Sequence, residues 1–263
     1  MIREILFNPI DHPLLVFILS FAALWAAAWF GAKLRKRRPR TAEAPEYGIV
    51  ESATLTLLAL IVGFTFSMAI DRFGERKKCE AAEANAIGTE YLRVGLLPAE
   101  ETAKLQTLMR AYVDQRLQFY ATWNSEERER NSVDTARLQD QMWTAVSAAA
   151  KALPPNPVVA LAVAGMNDAI DAQGYTQASW WNRIPVEAWG LMFVIALTSN
   201  LLLGYTSRAF EREAKGLLFM PAIFSIAFFL IADIDSPRWG LIHVNPQNLE
   251  SLAASLHPAS AQP

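Results

Sequence analysis

Four blocks of apolar sequence, each long enough or nearly long enough to cross a bilayer, constrain this chain more than any other feature it has. Residues 14–32 run without a charge, residues 49–70 carry only Glu51 near their start, residues 186–205 carry only Glu187 near theirs, and residues 217–232 form a shorter run that Gly216 or Asp233 and Ile234 can extend. At 1.5 Å per helical residue, about 20 residues cross a hydrocarbon core of about 30 Å. Within that core a helix satisfies all of its own backbone amides and carbonyls. The blocks therefore predict four transmembrane helices, with both termini on one side. The first reads as a retained anchor, because its basic cluster follows the apolar run instead of preceding it as in a cleaved signal. Pro221 falls near the start of the fourth helix, where a missing amide donor does little harm.

Charge sets the expected orientation. Residues 33–48 hold Lys33, Arg35, Lys36, Arg37, Arg38 and Arg40, and residues 206–216 hold Arg208, Arg212 and Lys215. Short basic loops mark the cytoplasmic face, whereas long segments translocate largely regardless of charge. An integral plasma-membrane protein with its tails and its long middle segment outside the cytoplasm is the expectation. The whole chain has 24 Lys and Arg against 26 Asp and Glu, a net charge of -2, which gives no general attraction for nucleic acid.

The chain divides, on this reading, into a first helix pair over residues 1–70, an extramembrane domain over 71–183, a second helix pair over 184–234 and a tail over 235–263. The middle segment carries 13 Lys or Arg and 15 Asp or Glu, a surface that stays dissolved. Its Ala- and Glu-rich start, free of proline up to Pro98, predicts that the second span continues into water as one helix. Leu105, Leu108, Met109, Tyr112, Arg116, Phe119, Tyr120 and Trp123 then recur at three- and four-residue steps, the spacing of one apolar helical face. A further helix is expected after Ser132, with Leu138, Met142 and Val146 on one stripe, ending near Lys151 and the prolines that follow. Another is expected from about Val158 toward Tyr175. Nothing alternates with period two over a useful length, so the fold class is all-α.

Chemistry is sparse. Cys79 is the only cysteine and the three histidines are isolated. There is no nucleophile elbow, phosphate loop or paired-histidine zinc motif. We therefore expect no enzyme activity, no metal and no cofactor. Glu80, Glu83, Asn85 and Glu90 lack the alternating-ligand loop of a calcium site and read as a solvated or ion-paired helix face. Glu51, Asp71, Arg72, Asp233 and Asp235 sit near span ends, where headgroups or water are within reach. Trp180, Trp181 and Trp189 are placed as an interfacial aromatic belt.

The second span offers the most specific pattern. Ser52, Thr56, Ala59, Gly63, Ser67 and Asp71 follow at three- or four-residue intervals, a stripe of small and polar side chains through the membrane. It suits close helix packing through small residues. The second reading is the lining of a pore built from several copies of the helix, with Phe64 or Phe66 as a hydrophobic constriction.

The run Gly63-Phe64-Thr65-Phe66-Ser67-Met68-Ala69-Ile70-Asp71-Arg72-Phe73, with Glu83-Ala84-Asn85-Ala86-Ile87-Gly88-Thr89 and the tail Asp233-Ile234-Asp235-Ser236-Pro237-Arg238-Trp239-Gly240, resembles the bestrophin-like membrane proteins of bacteria. In bestrophin anion channels a homopentamer surrounds one pore lined by the second membrane helix. The resemblance implies a self-associating channel for small ions in the lipid bilayer, with Gly63, Phe64, Phe66, Ser67 and Ile70 lining the pore and Asp71 and Arg72 at its mouth. True bestrophins keep the large middle region in the cytoplasm, opposite to the short-loop expectation, and their acidic calcium cluster has no residue-by-residue match here. The alternative reading is a non-conducting membrane scaffold or sensor whose helical domain binds a protein partner.

Overall fold

The computed structural model describes residues 9–37, 48–154, 156–206 and 216–257. Arg38, Arg40, Arg208, Arg212 and Lys215, on which much of the orientation argument rests, lie outside them. Among the described residues a 3-10 turn, Pro9–Asp11, is followed by eight helices: α1 (Pro13–Lys36), α2 (Gly48–Val94), α3 (Ala99–Ala121), α4 (Ser125–Ala152), α5 (Pro157–Trp181), α6 (Val186–Thr206), α7 (Gly216–Asp235) and α8 (Gln247–Leu256). No strand occurs among the described residues. The protein is an all-α integral membrane protein whose four spans fall on α1, the first part of α2, α6 and α7. The helical domain lies between the second and third spans. The chain forms two compact units, one holding the residues up to Phe73 and Arg183–His243, the other Gly74–Asn182 and the residues from Val244 on.

The first unit is the membrane-spanning one. Leu24, Leu58, Met192, Ala196, Phe228 and Ile231 make its fully buried core. Two glycines let α1 and α6 touch backbone to backbone: a Cβ on Gly204 would meet the Ala28 carbonyl, and one on Gly31 the Leu201 carbonyl. This is the small-residue packing that brings membrane helices together where lipid offers no hydrophobic drive. Arg35, in the last turn of α1, donates to the final carbonyls of α6, at 3.1 Å to Tyr205 and also to Thr206, supplying donors that the helix end itself lacks. The Thr206 hydroxyl donates to Glu51 Oε2 at 2.7 Å. Glu51 is thus a helix-to-helix contact rather than a free interfacial charge.

The second unit is built from the rest of α2 with α3, α4, α5 and α8. Ile87, Leu105, Met109, Tyr112, Met142, Val146, Met166 and Leu249 fill its core, each side chain worth roughly 1.5–3 kcal/mol of burial. Helix α2 is 47 residues long, and neither Gly74 nor Gly88 breaks it. It ends where Gly95, Leu96 and Leu97 tighten into three-residue hydrogen bonds and the Thr102 hydroxyl donates to the Val94 carbonyl at 2.8 Å. Helix α4 starts at Ser125, earlier than its apolar stripe suggests. The Asn124 side chain accepts from the Glu126 amide, capping the first turn, and Glu126 and Arg130 pair at 3.5 Å one turn apart. Helix α8 falls in the tail, where the sequence reading assigned no element. Leu249, Ala253 and Leu256 form its buried stripe.

Candidate functional site

The membrane part of α2 divides into two faces. Leu58, Thr65 and Ala69 are buried against the first unit's core. Ser52, Thr56, Ala59, Gly63, Ser67 and Ile70 are exposed. At about 100° per residue these six fall within a sector of about 80°, opposite the buried three. The Thr56 hydroxyl is satisfied by the Ser52 carbonyl at 2.8 Å, so this polar group needs no partner from another helix.

The sequence-derived candidates do not all share that sector. Gly63, Ser67 and Ile70 lie in it. Asp71 is exposed just beyond its edge, and Phe66, 36% exposed, borders it on the other side. Phe64, 64% exposed, lies about 100° from its middle. Arg72 is half-buried and lies nearly opposite the stripe, engaged with neighbours of its own. Beside the stripe, α2 also exposes Leu57, Leu60, Phe64 and Met68, and the outward faces of the other spans are apolar as well. Helix α1 shows Leu14, Ile18, Trp25, Trp29 and Phe30, and α7 shows Phe219, Ile223 and Ile226, surfaces suited to acyl chains.

Asp233 and Asp235, at the end of the last span, are structural. Asp233, 2% exposed, accepts from the amides of Leu241 at 2.7 Å and Ile242 at 2.9 Å. A Cβ on Gly240 would strike the Asp233 carbonyl, so glycine is needed for this close return of the chain. Asp235 is fully buried, accepting from the Ile184 amide at 3.1 Å and from Arg183 Nε at 3.3 Å, while Arg183 also pairs with Asp11. The expectation that Asp233 and Asp235 rest in headgroups or water is therefore corrected: backbone donors hold both out of solvent. The aromatic belt is corrected too. Trp181 is exposed, but Trp189 is buried beside Phe228, and Trp180 is buried against Phe119 and Tyr120 in the second unit.

The glutamates of the aqueous part of α2 are not a solvated face. Glu80, Glu83 and Glu90 are all buried. Glu80 accepts from the Asn248 and Leu249 amides, both at 2.9 Å, at the start of α8, where a carboxylate complements the helix N-terminus. Glu83 pairs with buried Arg116 and accepts from the Thr176 hydroxyl at 2.7 Å. The Arg116 charge is held above its ordinary range by Glu83 against the opposing effect of burial. Tyr112 and Tyr120 are driven well above the usual phenol range, burial first and the Glu83 charge second. No group of three or more acids, histidines or cysteines placed to hold a metal occurs among the described residues. Cys79 opens onto a cleft lined also by Lys78, Tyr175 and Ser179. Burial and then Glu75 push its thiol pKa up.

A family model described as the bestrophin-like domain matches residues 18–249. No curated protein matches the chain. Among solved structures, the chain is similar to a crystal structure of a membrane protein at 13% identity, covering 91% of this chain and 97% of that one with a TM-score of 0.67. It is also similar to a point-mutant form of a bacterial bestrophin homologue from Klebsiella pneumoniae at 14% identity, covering 95% and 99% with a TM-score of 0.64. At such identities the likeness is one of fold, and that fold is this chain's four spans and helical domain. With most of its 263 residues inside the matched range, the chain belongs to the bestrophin-like family of membrane proteins.

Proposed function

We propose that copies of this chain assemble around one axis as an anion channel, the second helix of each copy facing the shared passage. The observation that carries this reading is the exposed stripe. Ser52, Thr56, Ala59, Gly63 and Ser67 are left exposed by the described residues of the chain's own spans, while the residues opposite them are buried. A single four-span protomer offers no enclosed path, so conduction requires self-association. Gly63, Ser67 and Ile70 point toward the passage, Phe66 narrows it from the side, Phe64 supports the neighbouring copy, and Asp71 stands at the mouth with Arg72 behind it. Family membership supports channel function, and the pentameric count comes from the resemblance to bestrophin anion channels. Anion preference rests on the resemblance to bestrophin anion channels alone. The short-loop rule places the second unit outside the cytoplasm of a cell whose plasma membrane holds the first.

Reconstitution tests the reading. Purified oligomer in liposomes should carry chloride above the rate of empty vesicles and in preference to potassium. A folded oligomer that passes no ion would leave the scaffold alternative in its place, and a monomer whose stripe is covered by its own chain would do the same.

A further inference from the structure

Among the described residues, Glu90 is the carboxylate that is fully buried with neither oxygen hydrogen-bonded. Its neighbours on α2, Glu80 and Glu83, are fully engaged, so Glu90 is the exception that needs a reason. The carboxyl of Glu90 and the guanidinium of Arg93 share the space above Gly165 of α5, where a Cβ would collide with both. Arg93 Nη1 also lies 3.8 Å from Asp168 Oδ2, one turn along α5, and the Asp168 side chain is 66% exposed. One cation therefore stands between two acids, one out of water and one in it. Arg93 from α2 and Asp168 from α5 are the charged groups that act on Glu90.

A carboxylate out of water without a donor is strongly disfavoured, and retaining its proton relieves the cost. Burial pushes the Glu90 pKa up to about 8, Asp168 adding to the rise and Arg93 opposing it. Asp168 has the opposite situation, since water solvates its charge whether or not Arg93 is near. We propose that Glu90, Arg93 and Asp168 form a proton-operated exchange of ion pairs at the contact of α2 with α5. With Glu90 protonated, Arg93 pairs with Asp168. When the proton leaves to water, Arg93 turns to the Glu90 carboxylate and Asp168 is released to solvent. Gly165 makes the exchange possible, because any larger residue would occupy the space in which the guanidinium moves.

The exchange goes beyond the channel reading and does not depend on it, so it is tested without ion flux. Full-length protein in lipid nanodiscs, followed by infrared spectroscopy across a pH series, should show a protonated carboxyl band that persists at neutral pH and is lost with a midpoint near 8. Glu90→Gln should remove the band. Asp168→Asn, a change at an exposed position that leaves the fold intact, should lower the midpoint by about 0.5 pH unit, the size expected of one partly exposed charge. A band unchanged in Glu90→Gln, or no protonated carboxyl at neutral pH, would overturn the proposal. So would a midpoint that Asp168→Asn leaves where it was, since Arg93 would then not be shared.

Discussion

Phe64 and Phe66 are two residues apart and about 160° apart around the helix, so they cannot face the same thing. With the stripe toward the passage, Phe66 borders it and Phe64 turns from it. Phe66→Ala should therefore raise unitary conductance severalfold by widening an apolar constriction, whereas Phe64→Ala should leave conductance near wild type and lower the thermal stability of the oligomer. Single-channel recording beside melting of the purified assembly separates the two outcomes, and the reverse pattern would mean that the helix is turned the other way. Individual residues also explain where sequence reasoning fell short. Within one helix, Glu80, Glu83 and Glu90 show only their neighbours a turn away. The partners of Glu80 and Glu83 lie in other helices, at Arg116, Thr176, Asn248 and Leu249. Burial that depends on such distant partners leaves no local pattern, and so these acids read as a solvated or ion-paired face, of which the ion pair holds for Glu83.

At the scale of helices, apolar length and period were readable because they are local. All four spans, the unbroken run of α2 past the membrane and most of the inward stripe of α3 follow directly from spacing, although Trp123 lies past the end of α3 and is exposed. Helix α4 begins eight residues before the expected start, since a capping asparagine and an ion pair start it before any apolar stripe does. Helix α8 has no counterpart in the sequence reading although Leu249, Ala253 and Leu256 repeat at helical steps, because ten residues give too few repeats to stand out. The closest element contact, α1 on α6, gives a direct test. Gly204→Ala should destabilise the protein by about 1–3 kcal/mol, the usual cost of forcing atoms into a filled contact, because its Cβ lands on the Ala28 backbone. Gly190→Ala, on the same helix with nothing within 4 Å, should be neutral or slightly stabilising. Parallel denaturation of both variants in one detergent checks the contrast, and equal effects would show that the two helices have slack.

For the molecule as a whole, the sidedness of the second unit decides between the short-loop rule and the arrangement of true bestrophins. Cys79, the chain's only cysteine, reports it. A membrane-impermeant maleimide applied to intact cells should label Cys79 if the second unit is outside, and only after permeabilisation if it is cytoplasmic. Its raised pKa leaves little thiolate at neutral pH, so labelling should quicken as pH rises through and beyond the ordinary thiol range. Glu75→Gln should quicken it further at a fixed mildly alkaline pH by removing a neighbouring charge that opposes ionisation. Finally, the buried carboxylates at the end of α7 bear on biosynthesis. The Asp233 carboxylate takes two of its donors from Leu241 and Ile242, and Asp235 leans on Arg183, which reaches back to Asp11. During translation the last span thus emerges before the amides that neutralise it, and a nascent chain interrupted before Leu241 would present the insertion machinery with an anion lacking its counterparts. Maturation of the membrane half is accordingly a late event, completed only when residues from the beginning, middle and end of the polypeptide meet.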